Sequence, residues 1–238
     1  MQIPDKINPD YIRDSIVEIR FDLNSPFEVV IAKFHELFTG SGLTYNSPAF
    51  PEPNPNALDF VNFDALYPVF SNDQISIKIT STSIAFNCSK NYLGWKEYGK
   101  ILRKTISDIS DLGIIDRFYR LGIRYINNFE DTNIYDIIKE DMRIKVGNYK
   151  TESTSFVTKI KDENFGINLR VDNGVKDDKT GKTLSKIDVD VYINAGQGKI
   201  ETKELIELLD SVHSKEKEVF FSILNDEFKN SLDAEYKA

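Results

Sequence analysis

Two similar stretches organise this chain: Ile16-Val17-Glu18-Ile19-Arg20-Phe21 near its start and Arg120-Leu121-Gly122-Ile123-Arg124-Tyr125 at its middle. In each stretch apolar side chains alternate with polar ones, and a strand with one buried face shows this period of two. A similar order of predicted elements follows each stretch. The sequence therefore predicts two related halves, residues 1–118 and 119–238, which form either two domains or one continuous domain.

The first half predicts a strand, a helix, a further strand candidate at 58–70, a hairpin and a second helix. Ser25 precedes Pro26, a pair that is typical of a helix start with the serine as its cap. Residues 46–56 contain four prolines and predict an extended loop, because proline lacks the backbone donor. The predicted elements are a strand at 14–23, a helix from 26 to 40, hairpin strands at 75–80 and 84–88, and a helix at 94–112.

The second half predicts the same order of elements with a longer final helix. Its last two strands alternate cleanly, so one face of their sheet is predicted to be buried and the other wet. Asp188 and Asp190 fall on the predicted wet face. The predicted elements are a strand at 119–129, a short helix at 133–140 capped by Thr132 or Asn133, strands at 151–160, 165–172 and 184–194, and a helix from 200 to 232.

Each half thus consists of a strand, a helix, about three antiparallel strands and a helix. This order predicts an α+β fold in which helices lie on one face of an antiparallel sheet. Two β-α-β-β-β-α repeats make up the TATA-binding-protein-like arrangement, and that comparison is an analogy of fold alone. The alternative is a helix-grip-like fold, in which the long C-terminal helix lies across a curved antiparallel sheet.

Charge and composition restrict the classes of function. The net charge of −8 over 238 residues divides evenly between the halves. Binding to nucleic acid or to an anionic membrane needs clustered Lys and Arg, so both are disfavoured. Cys88 is the only cysteine, which excludes an intrachain disulfide and a thiolate metal cage. A signal peptide and a membrane-spanning apolar run are not found, so we expect a cytoplasmic protein.

The sequence contains no motif for catalysis or metal binding. His35 and His213 lie in separate predicted helices among polar neighbours, and we expect both at solvated positions. Asp188 and Asp190 project from one strand face but provide only one side of a metal site. Cys88 falls on an apolar strand face, where a buried thiol behaves as a small hydrophobe. We therefore predict no catalytic residue, no metal and no cofactor.

Arg20 and Arg124 are the leading candidates for binding, because each stands on the strand face opposite an isoleucine of its own half. If the strands pair about a pseudo-two-fold axis, the two guanidiniums approach one another and need an anion, a carboxylate or water between them. Glu18 and Asp22 are the local carboxylates, and neutralisation by them is the alternative to an anionic ligand. The predicted ligand-binding residues are the polar ones of the sheet face: Glu18, Arg20, Arg124, Asn168 and Arg170.

Five segments of the chain resemble a sporadically distributed family of uncharacterised bacterial proteins of about this length, a family with no established activity. The segments are Asp14–Phe21, Phe70–Asp73, Phe86-Asn87, Tyr92–Trp95 and Leu121–Asn127. The resemblance implies a bacterial or phage-associated cytoplasmic protein with an accessory role in mobile elements or defence. It implies no catalytic residue, because the shared positions are Gly, aromatic, Arg and Asn, and it favours a binding scaffold.

Three hypotheses of function follow. The leading one is a non-enzymatic binding or regulatory protein that holds a protein segment or a small anionic ligand on a sheet face. The alternative is an enzyme acting on a nucleotide or phosphorylated metabolite, which would join Arg20 or Arg124 to acids such as Glu18 and Asp190. The third is a nucleic-acid binder. A homodimer through an exposed strand edge or the final helix is compatible with each of them.

Overall fold

The computed structural model of this chain describes residues 3–4, 6–46, 67–88, 92–139, 152–176 and 181–235. Over these residues the strands are β1 (Lys6–Asn8), β2 (Ile12–Leu23), β3 (Thr44–Asn46), β4 (Val69–Ser71), β5 (Ser76–Ile79), β6 (Ser83–Asn87), β7 (Ile115–Glu130), β8 (Thr154–Asp162), β9 (Phe165–Lys176), β10 (Thr183–Asn194) and β11 (Asp233–Glu235). The helices are α1 (Phe27–Gly40), α2 (Trp95–Asp111), α3 (Thr202–Ile223) and α4 (Asp226–Ser231).

The described residues form an α+β fold built on a large antiparallel sheet. Its nine strands lie in the order β3-β4-β5-β6-β2-β7-β10-β9-β8, and β1 pairs with β11 in a separate sheet. The helices lie mostly on one side of the large sheet. This confirms the predicted fold class, whereas the repetition of one module in both halves stays a prediction.

The chain divides into two compact units whose segments interleave. The first, which we call the N-unit, consists of Ile16–Leu121 and Ala195–Ile206. The second, which we call the C-unit, consists of Met1–Ser15, Gly122–Asn194 and Glu207–Ala238. The chain begins in the C-unit, leaves it within β2 and returns to it within β7, and α3 contributes residues to both units. Each unit is described by itself below.

Aromatic residues join the helices of the N-unit to its strands. Phe38 of α1 lies with its ring 5.2 Å from the ring of Phe70 in β4. Tyr98 of α2 is fully buried, and its hydroxyl donates a hydrogen bond to the carbonyl of Phe86 in β6 at 3.0 Å. The alternating apolar residues of these short strands therefore face α1 and α2.

The start of α1 differs from the prediction. Pro26 occupies the N-cap position, with an extended backbone at φ −56° and ψ 142°. Ser25 does not cap the helix, because its hydroxyl donates to the side-chain oxygen of Asn24 at 2.9 Å. The carbonyl of Pro26 accepts the first hydrogen bonds of the helix, from the amides of Val29 and Val30. The predicted cap was therefore wrong by one residue.

The C-unit buries one face of its strands against α3. Tyr125 of β7 lies with its ring 5.8 Å from the imidazole of His213 in α3. Strands β9 and β10 present alternate residues to this buried face, as the period of two predicted. These residues are Ile167, Leu169, Val171, Ile187, Val189 and Val191.

The predicted helix at 200–232 is in fact two helices, α3 and α4. The break lies at Asn225, whose side-chain oxygen accepts a hydrogen bond from the amide of Phe228 at 2.7 Å. The side-chain nitrogen of Asn225 donates to the carbonyl of Asp136 at 2.8 Å. An asparagine that caps a helix in this way ends one helix and starts the next.

The region before β8 is only partly described. The predicted helix at 133–140 contains a single 3-10 turn, Ile134–Asp136, and Asn133 caps it by accepting from the amide of Tyr135 at 3.3 Å. Residue 140 lies outside the described residues. Residues 47–56 of the predicted proline-containing loop, residues 58–66 of the strand candidate at 58–70, and residue 151 of the predicted strand lie outside them as well.

We expect Tyr98→Phe to lower the free energy of unfolding by about 1–2 kcal/mol, because it removes a donor from a buried carbonyl. Tyr45→Phe is the matched control, since Tyr45 is exposed, and it should change the free energy by less than about 0.5 kcal/mol. Urea denaturation followed by circular dichroism measures both. Equal effects of the two variants would show that the Tyr98 hydroxyl does not stabilise the N-unit.

An acid lies in the apolar core of the C-unit. Glu216 of α3 is buried, and its Oε1 has no hydrogen-bond partner in the part of the chain that the structure describes. Burial raises the pKa of Glu216 to about 8, and only the nearby charge of Lys217 opposes this rise. The carboxyl is therefore protonated in the folded protein at neutral pH.

Glu216→Gln should remove a pH dependence of stability. Between a pKa of 4.5 in the unfolded chain and about 8 in the folded protein, the unfolded chain binds fewer protons. The free energy of unfolding then falls by up to about 1.4 kcal/mol for each pH unit as pH rises through this window. The variant keeps an uncharged side chain of similar shape and should lose this slope. Urea denaturation at several pH values measures it.

The control for this prediction is Glu218→Gln, which makes the same change at an exposed position of α3. This variant should retain the wild-type slope. If Glu216→Gln and Glu218→Gln depend on pH equally, Glu216 is ionised in the folded protein and the assignment fails.

Candidate functional site

The second face of the C-unit sheet carries polar side chains in matched rows. Asp188 of β10 stands opposite Arg170 of β9, and Asp190 stands opposite Asn168. Alternate residues of a strand point to opposite faces, so these side chains point away from the buried apolar face. We call this surface the outer face and define it by Arg124, Asn168, Arg170, Asp172, Asp188 and Asp190.

Arg124 of β7 binds the carboxylate of Asp188 through two hydrogen bonds. Its Nε donates to Oδ1 at 2.8 Å and its Nη2 donates to Oδ2 at 2.6 Å. The side chain of Asp188 is only 8% exposed, whereas that of Arg124 is 46% exposed. The hydrogen bond to Asp188 raises the pKa of Arg124, and burial opposes this rise. Asp188 was predicted to be solvated, and that was wrong because the guanidinium covers it.

The guanidinium of Arg170 is held in a similar way by an aspartate of its own strand. Its Nε lies 2.9 Å from both carboxylate oxygens of Asp172, which also accepts a hydrogen bond from the hydroxyl of Ser155 at 2.6 Å. The side chain of Asp172 is 2% exposed, and that of Arg170 is 52% exposed. Each of the two arginines is thus fixed along one edge by a buried aspartate.

Both guanidiniums keep donors for a further acceptor. Arginine has five N–H donors in a fixed planar fork. The aspartates occupy the Nε of both arginines and one terminal nitrogen of Arg124. Within the described residues, the other terminal nitrogens of Arg124 and Arg170 have no acceptor. A carboxylate or phosphate is the acceptor whose geometry fits such a fork.

Asn168 lies in the row next to that of Arg170 and Asp188, and a carboxylate holds its side chain as well. Its side-chain nitrogen donates to Oδ2 of Asp190 at 2.9 Å. The next residue across the sheet is Lys159 of β8, which is exposed and stands opposite Asn168. The outer face therefore continues towards β8 with a cation.

The N-unit holds the other two predicted residues, Glu18 and Arg20. The Nε of Arg20 donates to Oε1 of Glu18 at 2.7 Å, and Arg120 donates to the same oxygen. Asp22 binds Arg117 instead, at 2.6 Å from its Nε. Of the two carboxylates predicted to neutralise Arg20, Glu18 does so, whereas Asp22 pairs with Arg117. The predicted approach of Arg20 to Arg124 stays a prediction.

The structure thus places Arg124, Asn168 and Arg170 on one face of the C-unit, and Glu18 with Arg20 in the N-unit. Sequence reasoning missed the two aspartates that support the arginines, Asp172 and Asp188. The signal for them was present, since acidic and basic residues alternate on the polar side of neighbouring strands. Strand pairing was needed to use it.

The two histidines and the cysteine take different positions. His35 is exposed as predicted, whereas His213 is buried against Tyr125, so the prediction of a solvated His213 was wrong. Cys88 is buried, and burial raises the pKa of its thiol, as suits a small hydrophobe. Among the described residues, no group of three or more His, Cys, Asp and Glu side chains is placed to hold a metal ion.

Comparison with known proteins adds no identification, because no protein-family model and no curated protein matches the chain. No helix in the described part of the chain has the length and apolar character needed to cross a membrane. The function therefore has to be argued from the site itself.

We expect Arg124→Ala to lower the free energy of unfolding by about 1–3 kcal/mol, because it leaves the buried Asp188 unpaired and solvent screens only part of the loss. Arg20→Ala should cost less than about 1 kcal/mol, since Glu18 keeps Arg120. Urea denaturation measures both variants. The double variant Arg124→Ala/Asp188→Ala should recover most of the loss, and equal costs for all three variants would contradict the assigned support.

Proposed function

We propose that this chain is a non-enzymatic binding protein whose outer face holds an acidic segment of a partner protein. The observation that carries this proposal is the pair of supported guanidiniums, Arg124 and Arg170. Each is fixed along one edge and half-exposed along the other. A guanidinium already held in place loses little conformational freedom when it binds a carboxylate, so more of the binding free energy is retained.

The spacing of the cations favours a segment over a small anion. Arg124 lies on β7 and Lys159 on β8, and these strands are three positions apart in the sheet. Neighbouring strands are about 4.8 Å apart, so the cations span roughly 14 Å. A single carboxylate or phosphate reaches one of them, whereas a protein segment with several acids reaches all of them. A small anionic ligand is the alternative for a single guanidinium.

The surroundings of the acids favour binding over catalysis. Asp172 and Asp188 are buried and already accept hydrogen bonds from arginines. Asp190 accepts from Asn168. A general base has to reach the proton that it removes, and these carboxylates are engaged by neighbouring side chains. This is why we place the enzyme hypothesis second and propose no catalytic residue.

The setting of this function is part of the proposal. The single, buried Cys88 fits a reducing cytoplasm. The resemblance of five segments to a sporadic bacterial family supports an accessory role, such as regulation or defence. A second copy of the chain as the partner would make the protein a homodimer, and light scattering distinguishes that case from a different partner.

Binding of a labelled peptide that alternates glutamate and serine tests the proposal. Fluorescence anisotropy should show a complex with the wild-type chain that weakens with salt, because the contacts are ionic. Arg124→Gln/Arg170→Gln should weaken it at least about tenfold, since two charge-assisted contacts are lost.

Lys182→Gln is the matched control for charge, because Lys182 is an exposed cation of the C-unit that precedes β10 and pairs with Glu130. This variant should bind the peptide as the wild type does. A peptide in which glutamine replaces glutamate should not bind. No binding by the wild type at low salt, or equal binding by all the variants, would refute the proposed function.

A further inference from the structure

A cleft of about 330 Å³ extends the outer face at the hairpin between β8 and β9. Lys159, Lys161, Gly166 and Tyr192 are among the residues that line it. Among the described lining residues none is acidic. The volume lies in the range of sites for small groups, and both lysines favour an occupant that carries negative charge nearby.

The floor of the cleft depends on a glycine. Gly166 of β9 stands directly opposite Tyr192 of β10. A Cβ placed on Gly166 would clash with Cε2, Cζ and the hydroxyl oxygen of Tyr192, so the tip of the aromatic ring lies over the glycine backbone. Only glycine allows this close approach. The ring is thereby held against the sheet at the wall of the cleft, and an aromatic wall of this kind favours contact with a second ring.

The strand register connects the cleft to the supported arginine. Lys161, Gly166 and Tyr192 form one row across the sheet, and Lys159, Asn168 and Asp190 form the next row. Val157, Arg170 and Asp188 form the third. Successive rows are two residues apart, or roughly 6.6 Å, so the cleft lies about 13 Å from Arg170 along the strands.

We propose that the cleft binds an aromatic side chain of the partner segment, and this inference rests on the proposed function. In an extended segment every second side chain points to the same side, and the rows of the sheet are also two residues apart. If one acid of the segment binds Arg170, the acid two residues later in the segment reaches Lys159. The residue two positions after that second acid then reaches the cleft. The partner therefore carries the pattern acid–x–acid–x–aromatic, read in one chain direction or the other.

The occupant is an aromatic residue because both walls of the cleft suit a ring. Tyr192 gives the lining an aromatic ring, and aromatic rings pack favourably against one another in stacked or edge-to-face geometry. The ammonium groups of Lys159 and Lys161 are attracted to the face of a ring. The acids of the same segment pair with the positively charged side chains along the approach to the cleft.

Three labelled peptides test this inference by fluorescence anisotropy. The first has the order glutamate–serine–glutamate–serine–phenylalanine, the second has the reverse order, and the third carries serine in place of phenylalanine. One of the two phenylalanine peptides should bind the wild type at least about fivefold more tightly than the serine peptide does. Equal affinity for all three peptides would overturn the inference and leave the proposed function standing. No binding of any peptide would overturn both.

Two variants locate the aromatic contact. Tyr192→Ala removes the ring, and Gly166→Ala displaces it, because the tip of the tyrosine can swing away from the new methyl group. Both should abolish the advantage of phenylalanine and keep the affinity for the serine peptide. Lys182→Gln is again the control and should keep the full advantage. If both ring variants, folded by circular dichroism, retain the advantage, the aromatic residue binds elsewhere and the inference is wrong.

Discussion

The ion pair between Arg124 and Asp188 is the contact that gives the outer face of the C-unit its chemistry. A carboxylate that is 8% exposed in a sheet has to be paired, because an unpaired buried charge is costly. The partner is a guanidinium from the neighbouring strand, which is thereby fixed in place while about half of its side chain stays exposed. On the next strand, β9, Asp172 is buried and holds Arg170 of the same strand through its Nε. The result is a surface of fixed donors rather than of mobile side chains.

The strands and the fold class could be predicted from the sequence because apolar and polar residues alternate with a period of two in a strand that has one buried face. Ile187, Val189 and Val191 alternate with polar residues, and all three are buried as expected. The break at Asn225 could not be predicted in this way, since apolar residues continue at helical spacing on both sides of it. The capping hydrogen bonds of Asn225 end one helix and start the next, and the spacing of apolar residues carries no information about such bonds.

The candidate site was predictable in kind but not in detail. Arg124, Asn168 and Arg170 stand at polar positions of alternating strands, so the sequence identified them as outer-face residues. The burial of Asp188 depends on an arginine 64 residues away, and the packing of Tyr192 on Gly166 depends on strand register. Pairing partners are set by the tertiary fold, and one chain without its strand order does not reveal them. The prediction for His213 of α3 was wrong for the same reason, because it packs against Tyr125 of β7.

The most direct test of the central claim is a nuclear magnetic resonance titration of the arginine Nε–H groups with the acidic peptide. We predict that the resonances of Arg124 and Arg170 shift as the peptide is added. The resonance of Arg103, on α2 of the N-unit, should stay in place. Equal shifts for all arginines would mean that the peptide binds non-specifically to positively charged side chains. Shifts that leave out Arg124 and Arg170 would contradict the account, because the supported guanidiniums would then not be the binding surface.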